Sequence, residues 1–206
     1  MTTPGSVHPI EAESYRILAE RVDLSALGPL SRAVAERVIH ASADLEYATS
    51  LVLDETALAS GVEALRRGAV VVADVEMVAA GITSVAATCF LGRVPPGSGG
   101  DGAPTRSAAA MRMAAAAHRR GAVFVVGCAP TALVELVKLA AAGRVEPALV
   151  VGLPVGFVGA AESKEALRAS GLPAVSNVGE KGGSAVAAAA VNALLRLAGG
   201  PGARRG

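Results

Sequence analysis

From residue 69 onward, short β-branched runs alternate with stretches of helical spacing, and this alternation limits the chain to few folds. The predicted strands are 69–73, 84–90, 122–126, 147–151 and 173–177. The predicted helices are 74–80, 105–120, 130–142, 159–170 and 184–198. Strands that alternate with helices in this way are typical of a parallel sheet covered on both faces. We therefore predict an α/β protein, a three-layer α/β/α domain with a mostly parallel sheet.

The first third of the chain has the pattern of a helical N-terminal segment, with helices predicted over 9–21, 29–42 and 56–67. A length of 206 residues suits one domain with a full core, which we place at 1–198. The remaining residues, 199–206, are rich in Gly and are expected to form a disordered tail.

Composition excludes several classes of protein. A hydrophobic content of 52% rules out a disordered chain. Aromatic residues make up only 2%, which argues against a base-stacking platform for single-stranded nucleic acid. A net charge of +1 gives no electrostatic basis for duplex binding. We therefore expect no nucleic-acid partner, and any anionic ligand must be bound by local groups.

We expect neither a membrane segment nor a metal site. The charge-free runs are shorter than the ~18 apolar residues that would suggest a membrane span, and the N-terminus has no signal-peptide pattern. Cys89 and Cys128 lie in apolar surroundings without CxxC spacing, so we expect reduced core thiols in a cytoplasmic protein. The three histidines are far apart and none has a ligand partner at metal-site spacing.

Three turns that open predicted helices are suited to bind anions. Two are glycine-rich and follow strands, at 152–164 and 178–184, and the third is 104–107. Ligands of open parallel sheets bind beyond the carboxyl ends of the strands, and the free N–H groups at helix starts favour negative charge. With the cations Arg106, Lys164 and Lys181 beside them, these turns predict a crevice for a ligand that carries several negative charges. The glycine spacing is not GxGxxG and no P-loop is present, which disfavours a nucleotide.

His40 is the candidate proton donor. On a helical wheel of residues 27–42, it lies roughly 120° from the middle of the apolar stripe, so it is not expected in the core. One interpretation is a solvated histidine at a helix C-terminus. The other is a general acid, because Ser42, Asp44 and Glu46 follow closely and are placed to orient an imidazole or tune its acidity.

Six motifs, in order along the chain, resemble those of the precorrin-8X methylmutases (precorrin isomerases) of cobalamin biosynthesis. The resemblance extends from HPIEAESYRIL near the start to KGGSAVAAAAVNALL near the end. The motifs are VIHASADLEYA (38–48), DVEMVAAGI (74–82), TRSAAAM (105–111), APTALVEL (129–136), GLPVGFVGAAESK (152–164) and KGGSAVAA (181–188).

This resemblance implies an intramolecular methyl migration from C11 to C12 of a tetrapyrrole, precorrin-8X or cobalt-precorrin-8, which gives the corrin product hydrogenobyrinate or its cobalt counterpart. It implies no cofactor and no bound metal. It also implies a homo-oligomer, expected to be a dimer, with its sites near the subunit interface. A tightly retained product that is handed to the next enzyme of the pathway is a further expectation.

The family's catalytic histidine falls on His40, and its substrate-contacting serine falls on Ser14. The residues expected to hold peripheral carboxylates are Arg106 and Ser107. The glycine-rich loops are expected to bind further carboxylates through Gly156, Gly159, Lys181, Gly183 and Ser184.

Two positions depart from the family pattern. Cys128 stands where Asn is usual, and Glu180 stands where Arg is usual, which reverses a charge in a loop assigned to anion binding. If Glu180 faces solvent, Lys181 and the neighbouring backbone suffice. Two other functions stay open: a non-catalytic corrinoid carrier, which would not need His40, and a nucleotide-binding α/β module.

Overall fold

The computed structural model describes residues 8–96 and 103–199, and these contain nine α-helices and six strands. The strands are β1 (Leu51–Leu53), β2 (Val71–Ala73), β3 (Ala87–Cys89), β4 (Val123–Val126), β5 (Leu149–Gly152) and β6 (Ala174–Asn177). The helices are α1 (Pro9–Arg21), α2 (Pro29–Ser42), α3 (Tyr47–Ser50), α4 (Glu55–Arg66), α5 (Glu76–Gly81), α6 (Arg106–Ala117), α7 (Pro130–Ala141), α8 (Ala160–Ala169) and α9 (Ser184–Leu197). No helix in this described part is long and apolar enough to cross a membrane.

The six strands form one sheet in the order β1-β6-β5-β4-β2-β3. All neighbouring pairs are parallel except β1 and β6, which pair antiparallel with Leu51 opposite Asn177. The prediction of a mostly parallel sheet is therefore confirmed. The sequence analysis missed β1 and assigned no strand before residue 69. Three residues between two helices are too few to show strand periodicity, and β1 is stabilised by pairing with β6, more than 120 positions later.

Side chains of the central strands alternate between two separate cores, as a pleated sheet requires. In β4, Val123 and Val125 join one core and Phe124 and Val126 the other. The first core packs under α1, α2, α4 and α9, and the second under α6, α7 and α8. Helices therefore cover both faces, which confirms the three-layer prediction.

The order in which successive strands are added to the sheet reverses between β2 and β4. After β2 it adds β3 on one side, then crosses back to place β4 on the other side of β2. Such a switch point leaves a crevice at the carboxyl ends of the two strands. The starts of α7, α8 and α9 follow the carboxyl ends of β4, β5 and β6, so this edge collects two of the three helix starts that the sequence predicted as anion sites, those of α8 and α9.

The ends of several elements differ from prediction. The strand predicted over 84–90 is only Ala87–Cys89, and the helix predicted over 105–120 ends at Ala117. The segment between β3 and α6 begins with a 3₁₀ turn, Leu91–Arg93, and its residues 97–102 lie outside the described part. The tail prediction for 199–206 falls, apart from Gly199, outside it as well.

Candidate active site

His40 lies in the last turn of α2, and its ring is fixed from the side of α1. Ser14 Oγ and His40 Nδ1 are hydrogen-bonded at 2.8 Å. The ring of Tyr15 stacks on the imidazole, with centroids 4.8 Å apart and planes 14° from parallel. His40 is half-buried, so it is not the solvated surface histidine of the first interpretation.

The bond to Ser14 decides which nitrogen can act. A serine hydroxyl accepts a hydrogen bond from a protonated Nδ1 and donates one to an unprotonated Nδ1. It can therefore hold the ring through both states of a proton transfer. Within the described residues Nε2 makes no hydrogen bond, so Nε2 is the nitrogen open to a ligand.

The wall opposite His40 comes from α9 and the end of α5. These helices line a cavity of about 330 Å³ beside His40, and alanines of α9 form part of its surface. Asn192 gives this wall its polar group: its Nδ2 donates to the Gly81 carbonyl at 2.8 Å, and its Oδ1 accepts from Thr83 N at 3.2 Å. Two larger cavities, of about 400 and 770 Å³, lie at the amino ends of the strands, away from His40.

The polar residues that follow His40 do not orient it. Ser42 Oγ donates to the Val38 carbonyl, and the carboxylates of Asp44 and Glu46 each pair with Lys181 Nζ at 2.7 Å. The expectation that these three residues orient the imidazole is therefore wrong, and Ser14 and Tyr15 have that role. The two carboxylates raise the pKa of Lys181 and tie the loop after β6 to the end of α2.

Asp74 fixes the switch point. It follows β2 directly, is buried, and accepts hydrogen bonds from the backbone N–H groups of Gly127, Cys128 and Ala129 at 3.1, 2.9 and 2.8 Å. Burial raises the pKa of Asp74, and the three N–H groups oppose that rise. The carboxylate therefore takes the place of a side-chain cap at the start of α7.

Lys164 does not face the crevice, although the sequence placed it there as a cation. It is fully buried, and Nζ donates to Asn177 Oδ1 at 3.0 Å and to the Lys181 carbonyl at 2.6 Å. Burial lowers its pKa to about 8. Through these two hydrogen bonds, Lys164 holds the loop after β6 from the interior of the protein.

The two glycine-rich turns lie against each other. Gly183 N donates to the Leu153 carbonyl at 2.9 Å, and Gly156 N donates to the Glu180 carbonyl at 3.2 Å. Neither α8, which begins after Gly159, nor α9, which begins at Ser184, has a side-chain cap. Among residues 8–96 and 103–199, their first-turn N–H groups therefore have no side-chain acceptor. Glu180 is exposed, so its negative side chain faces solvent.

Arg106 and Ser107 begin α6, whose N-cap residue Thr105 bonds with Thr131 of the neighbouring α7 at 2.7 Å. Arg106 donates from Nε to the Val94 carbonyl at 3.0 Å and from Nη2 to the Leu91 carbonyl at 3.1 Å. The 3₁₀ turn and the residue after it thereby hold the guanidinium. Within the described residues its Nη1 makes no hydrogen bond. Ser107 is half-buried in the first turn of α6.

The sequence analysis did not identify Tyr15, Asn192 or Asp74. Two of them carry a signal in hindsight. Asp74 is a carboxylate directly after a buried strand, and Asn192 is the single polar residue in a long apolar run of α9. Tyr15 has no such signal, because its contact with His40 depends on how α1 packs on α2.

The arrangement places one imidazole in a wall of small apolar side chains. One imidazole is held through Nδ1 and presents Nε2, while helix starts lie along the same edge of the sheet. No group of three or more His, Cys, Asp or Glu side chains that could hold a metal is found among residues 8–96 and 103–199. This fold and site define the class as a layered α/β protein with one fixed imidazole, a geometry suited to proton transfer on an organic ligand.

Comparison with known proteins identifies the family. The family model for precorrin-8X methylmutase matches residues 9–197, so the chain belongs to the precorrin-8X methylmutases, which are isomerases. The cobalt-precorrin-8 methylmutase of Methanothermobacter thermautotrophicus is 40% identical over 196 residues, 94% of each chain. The precorrin-8X methylmutase of Pseudomonas aeruginosa is 40% identical over 194 residues, 90% of this chain and 93% of that one. A crystal structure of the Thermus thermophilus precorrin-8X methylmutase superposes with a TM-score of 0.79 at 35% identity, covering 92% of this chain and 95% of that one.

Proposed function

We propose that this methylmutase moves a methyl group from C11 to C12 of precorrin-8X or cobalt-precorrin-8, with His40 as general acid. The observation that supports this most strongly is the fixed imidazole, held at Nδ1 by Ser14 with Nε2 free beside a cavity. Protonation of the macrocycle by Nε2 withdraws electrons from the ring and eases the migration. Ser14 accepts from Nδ1–H of the imidazolium before the transfer and still accepts from Nδ1–H of the neutral ring that remains once Nε2 has given up its proton.

The acetate and propionate arms of the substrate need dispersed anion sites. We assign two of these sites to the uncapped starts of α8 and α9, beside Gly156, Gly159, Gly183 and Ser184. Arg106 Nη1 and the Ser107 hydroxyl would hold another arm at the start of α6. Lys181 contributes only after it leaves Asp44 and Glu46, with which it is paired.

We also propose that a second copy of the chain completes the site, as a homodimer. A cavity of about 330 Å³ is at the small end of ligand pockets, roughly 300–1,000 Å³, and a tetrapyrrole with its acid arms needs more wall. The turn before α8 presents the apolar side chains of Phe157 and Val158 at 90% and 88% exposure. Exposed apolar side chains in a row on one turn are typical of an association surface.

Sedimentation of Phe157→Ser should then give a monomer where the unmodified protein gives a dimer, and a monomeric unmodified protein would contradict this.

Relatives named cobalt-precorrin-8 methylmutase and precorrin-8X methylmutase both reach 40% identity to this chain, so we propose activity on both substrates. The prediction of core cysteines is wrong, because Cys128 is exposed and Cys89 is half-buried. Both are free thiols, which supports a cytoplasmic location. A pocket that fits the transition state closely will also retain the product, and we propose that the product passes directly to the next enzyme of the pathway.

The experiment that separates an enzyme from a corrinoid carrier uses His40→Ala. The variant should bind the corrin product as tightly as the unmodified protein but lose turnover by about a hundredfold or more, since a general acid contributes roughly 10²–10⁴. His40→Gln is the matched control, because glutamine fills about the volume of the imidazole ring but cannot act as a general acid. Unchanged turnover in both variants would remove His40 from the mechanism, and absence of turnover in the unmodified protein would favour the carrier.

A further inference from the structure

Tyr15 contacts the imidazole of His40 on its face, where Ser14 cannot act. The ring can turn only about its own Cβ–Cγ bond, and Ser14 opposes that rotation with a single hydrogen bond at Nδ1. The stacked phenol ring, 4.8 Å away and 14° from parallel, blocks that rotation. Adjacent residues on α1 therefore fix the imidazole in two independent ways.

Tyr15 is itself fixed by a polar assembly that joins α1 to α2. Arg37 Nη1 donates to the Tyr15 hydroxyl at 3.2 Å and to Glu11 Oε1 at 2.9 Å. Arg37 is one turn before His40 on α2, and Glu11 is one turn before Tyr15 on α1. The side chains of Arg37 and Glu11 are each more than two-thirds covered, so this pair is better shielded from water than a surface ion pair.

The apolar packing of α1 is slight. Leu18 is its one buried residue, and the rest of its contact with α2 comes from half-buried side chains. The orientation of α1 relative to His40 therefore depends on the assembly of Glu11, Tyr15 and Arg37.

We propose that Tyr15 is a positioning residue for His40: with its hydroxyl held by Arg37, it sets the plane in which Nε2 delivers its proton. This rests on the proposed function of His40 as general acid. A proton donor must point at its acceptor when the transition state forms, and small losses of alignment lower the rate much more than they lower binding.

The test compares Tyr15→Leu with Tyr15→Phe. Tyr15→Leu removes the stacking face and should lower kcat by about tenfold or more, with KM and product affinity unchanged within about twofold. Tyr15→Phe keeps the stacking face and loses only the Arg37 bond that fixes it, so kcat should fall by about threefold, less than in Tyr15→Leu. Leu18→Ala is the matched control, because it weakens the packing of α1 without removing a contact to the imidazole. It should lower the thermal midpoint and leave kcat near the starting value.

A second readout does not depend on turnover. In the unmodified protein, the His40 ring should give one sharp set of ¹⁵N resonances, because Ser14 and Tyr15 hold it in one orientation. Tyr15→Leu should broaden or split these resonances, and Tyr15→Phe should not. Wild-type kcat and an unchanged NMR signature in Tyr15→Leu would overturn the proposal. A rise in KM at constant kcat would also overturn it, because Tyr15 would then be a substrate contact. Failure of the His40 assignment itself would be seen separately, as normal turnover in His40→Ala.

Discussion

Lys164 connects the pH of the solution to the stability of the fold. It is fully buried with Nζ bonded to Asn177 and to the Lys181 carbonyl, and burial, aided by the positive charge of Arg168, lowers its pKa from 10.5 to about 8. In the unfolded chain the ammonium returns to its ordinary value. Between these two values the unfolded state binds more protons than the folded state, so stability rises with pH. The stability gained from the neutral amine is fully present above the pKa of the unfolded chain, 10.5. It is lost as the pH falls through the pKa of the folded protein, about 8.

The size of this change in the free energy of unfolding follows from the shift in the pKa of Lys164. A difference of this size corresponds to about 3 kcal/mol over the whole range, of which about 2 kcal/mol falls between about pH 7.5 and about pH 9.5. Urea denaturation at these two pH values should therefore show the unmodified protein gaining about 2 kcal/mol relative to Lys164→Met. Groups that titrate in both proteins cancel in this difference.

Lys138→Met is the matched control, since Lys138 lies exposed on α7. It should follow the unmodified protein at both pH values. Parallel pH dependences of the unmodified protein and Lys164→Met would refute the reasoning, because the buried amine would then titrate as it does in water.

Two further changes test the edge of the sheet that carries the site. Asp74→Asn replaces one acceptor oxygen with a donor that faces backbone N–H groups, so the urea-derived free energy of unfolding should fall by about 3 kcal/mol, and a loss below about 0.5 kcal/mol would show that the carboxylate does not cap α7. Gly182→Ala places a Cβ that would overlap the carbonyl oxygens of Leu153 and Pro154, which should separate the two glycine-rich turns and lower stability by roughly 2 kcal/mol. Gly92→Ala, where a Cβ meets nothing within 4 Å, should change the thermal midpoint little, and equal effects of the two substitutions would contradict the close approach at Gly182.

The layered α/β fold could be predicted because its signal is local. Runs such as 122–126 are short, β-branched and flanked by helical stretches, and strands buried on both faces need no other information. The strand β1 could not be predicted, since Leu51–Leu53 takes its conformation from pairing with β6. Sequence reasoning recognises repeated local patterns and misses an element whose conformation depends on a distant partner.

The candidate site shows the same division. His40 was found because its residue type and its angle from the apolar stripe are visible in the sequence. Its actual partners, Ser14 and Tyr15, lie about 25 residues earlier on another helix, and the nearer Asp44 and Glu46 bind Lys181 instead. Proximity along the chain was therefore a poor guide to which side chain orients the ring, because α1 packs on α2 through tertiary contacts only.

The most direct test of the account is a crystal structure of the protein with its corrin product bound. The account predicts the macrocycle beside α9, with His40 Nε2 about 3 Å from an atom that can take a proton, and with carboxylate arms at the starts of α8 and α9. A product bound at the opposite edge of the sheet, or an imidazole turned away from the ring, would contradict it.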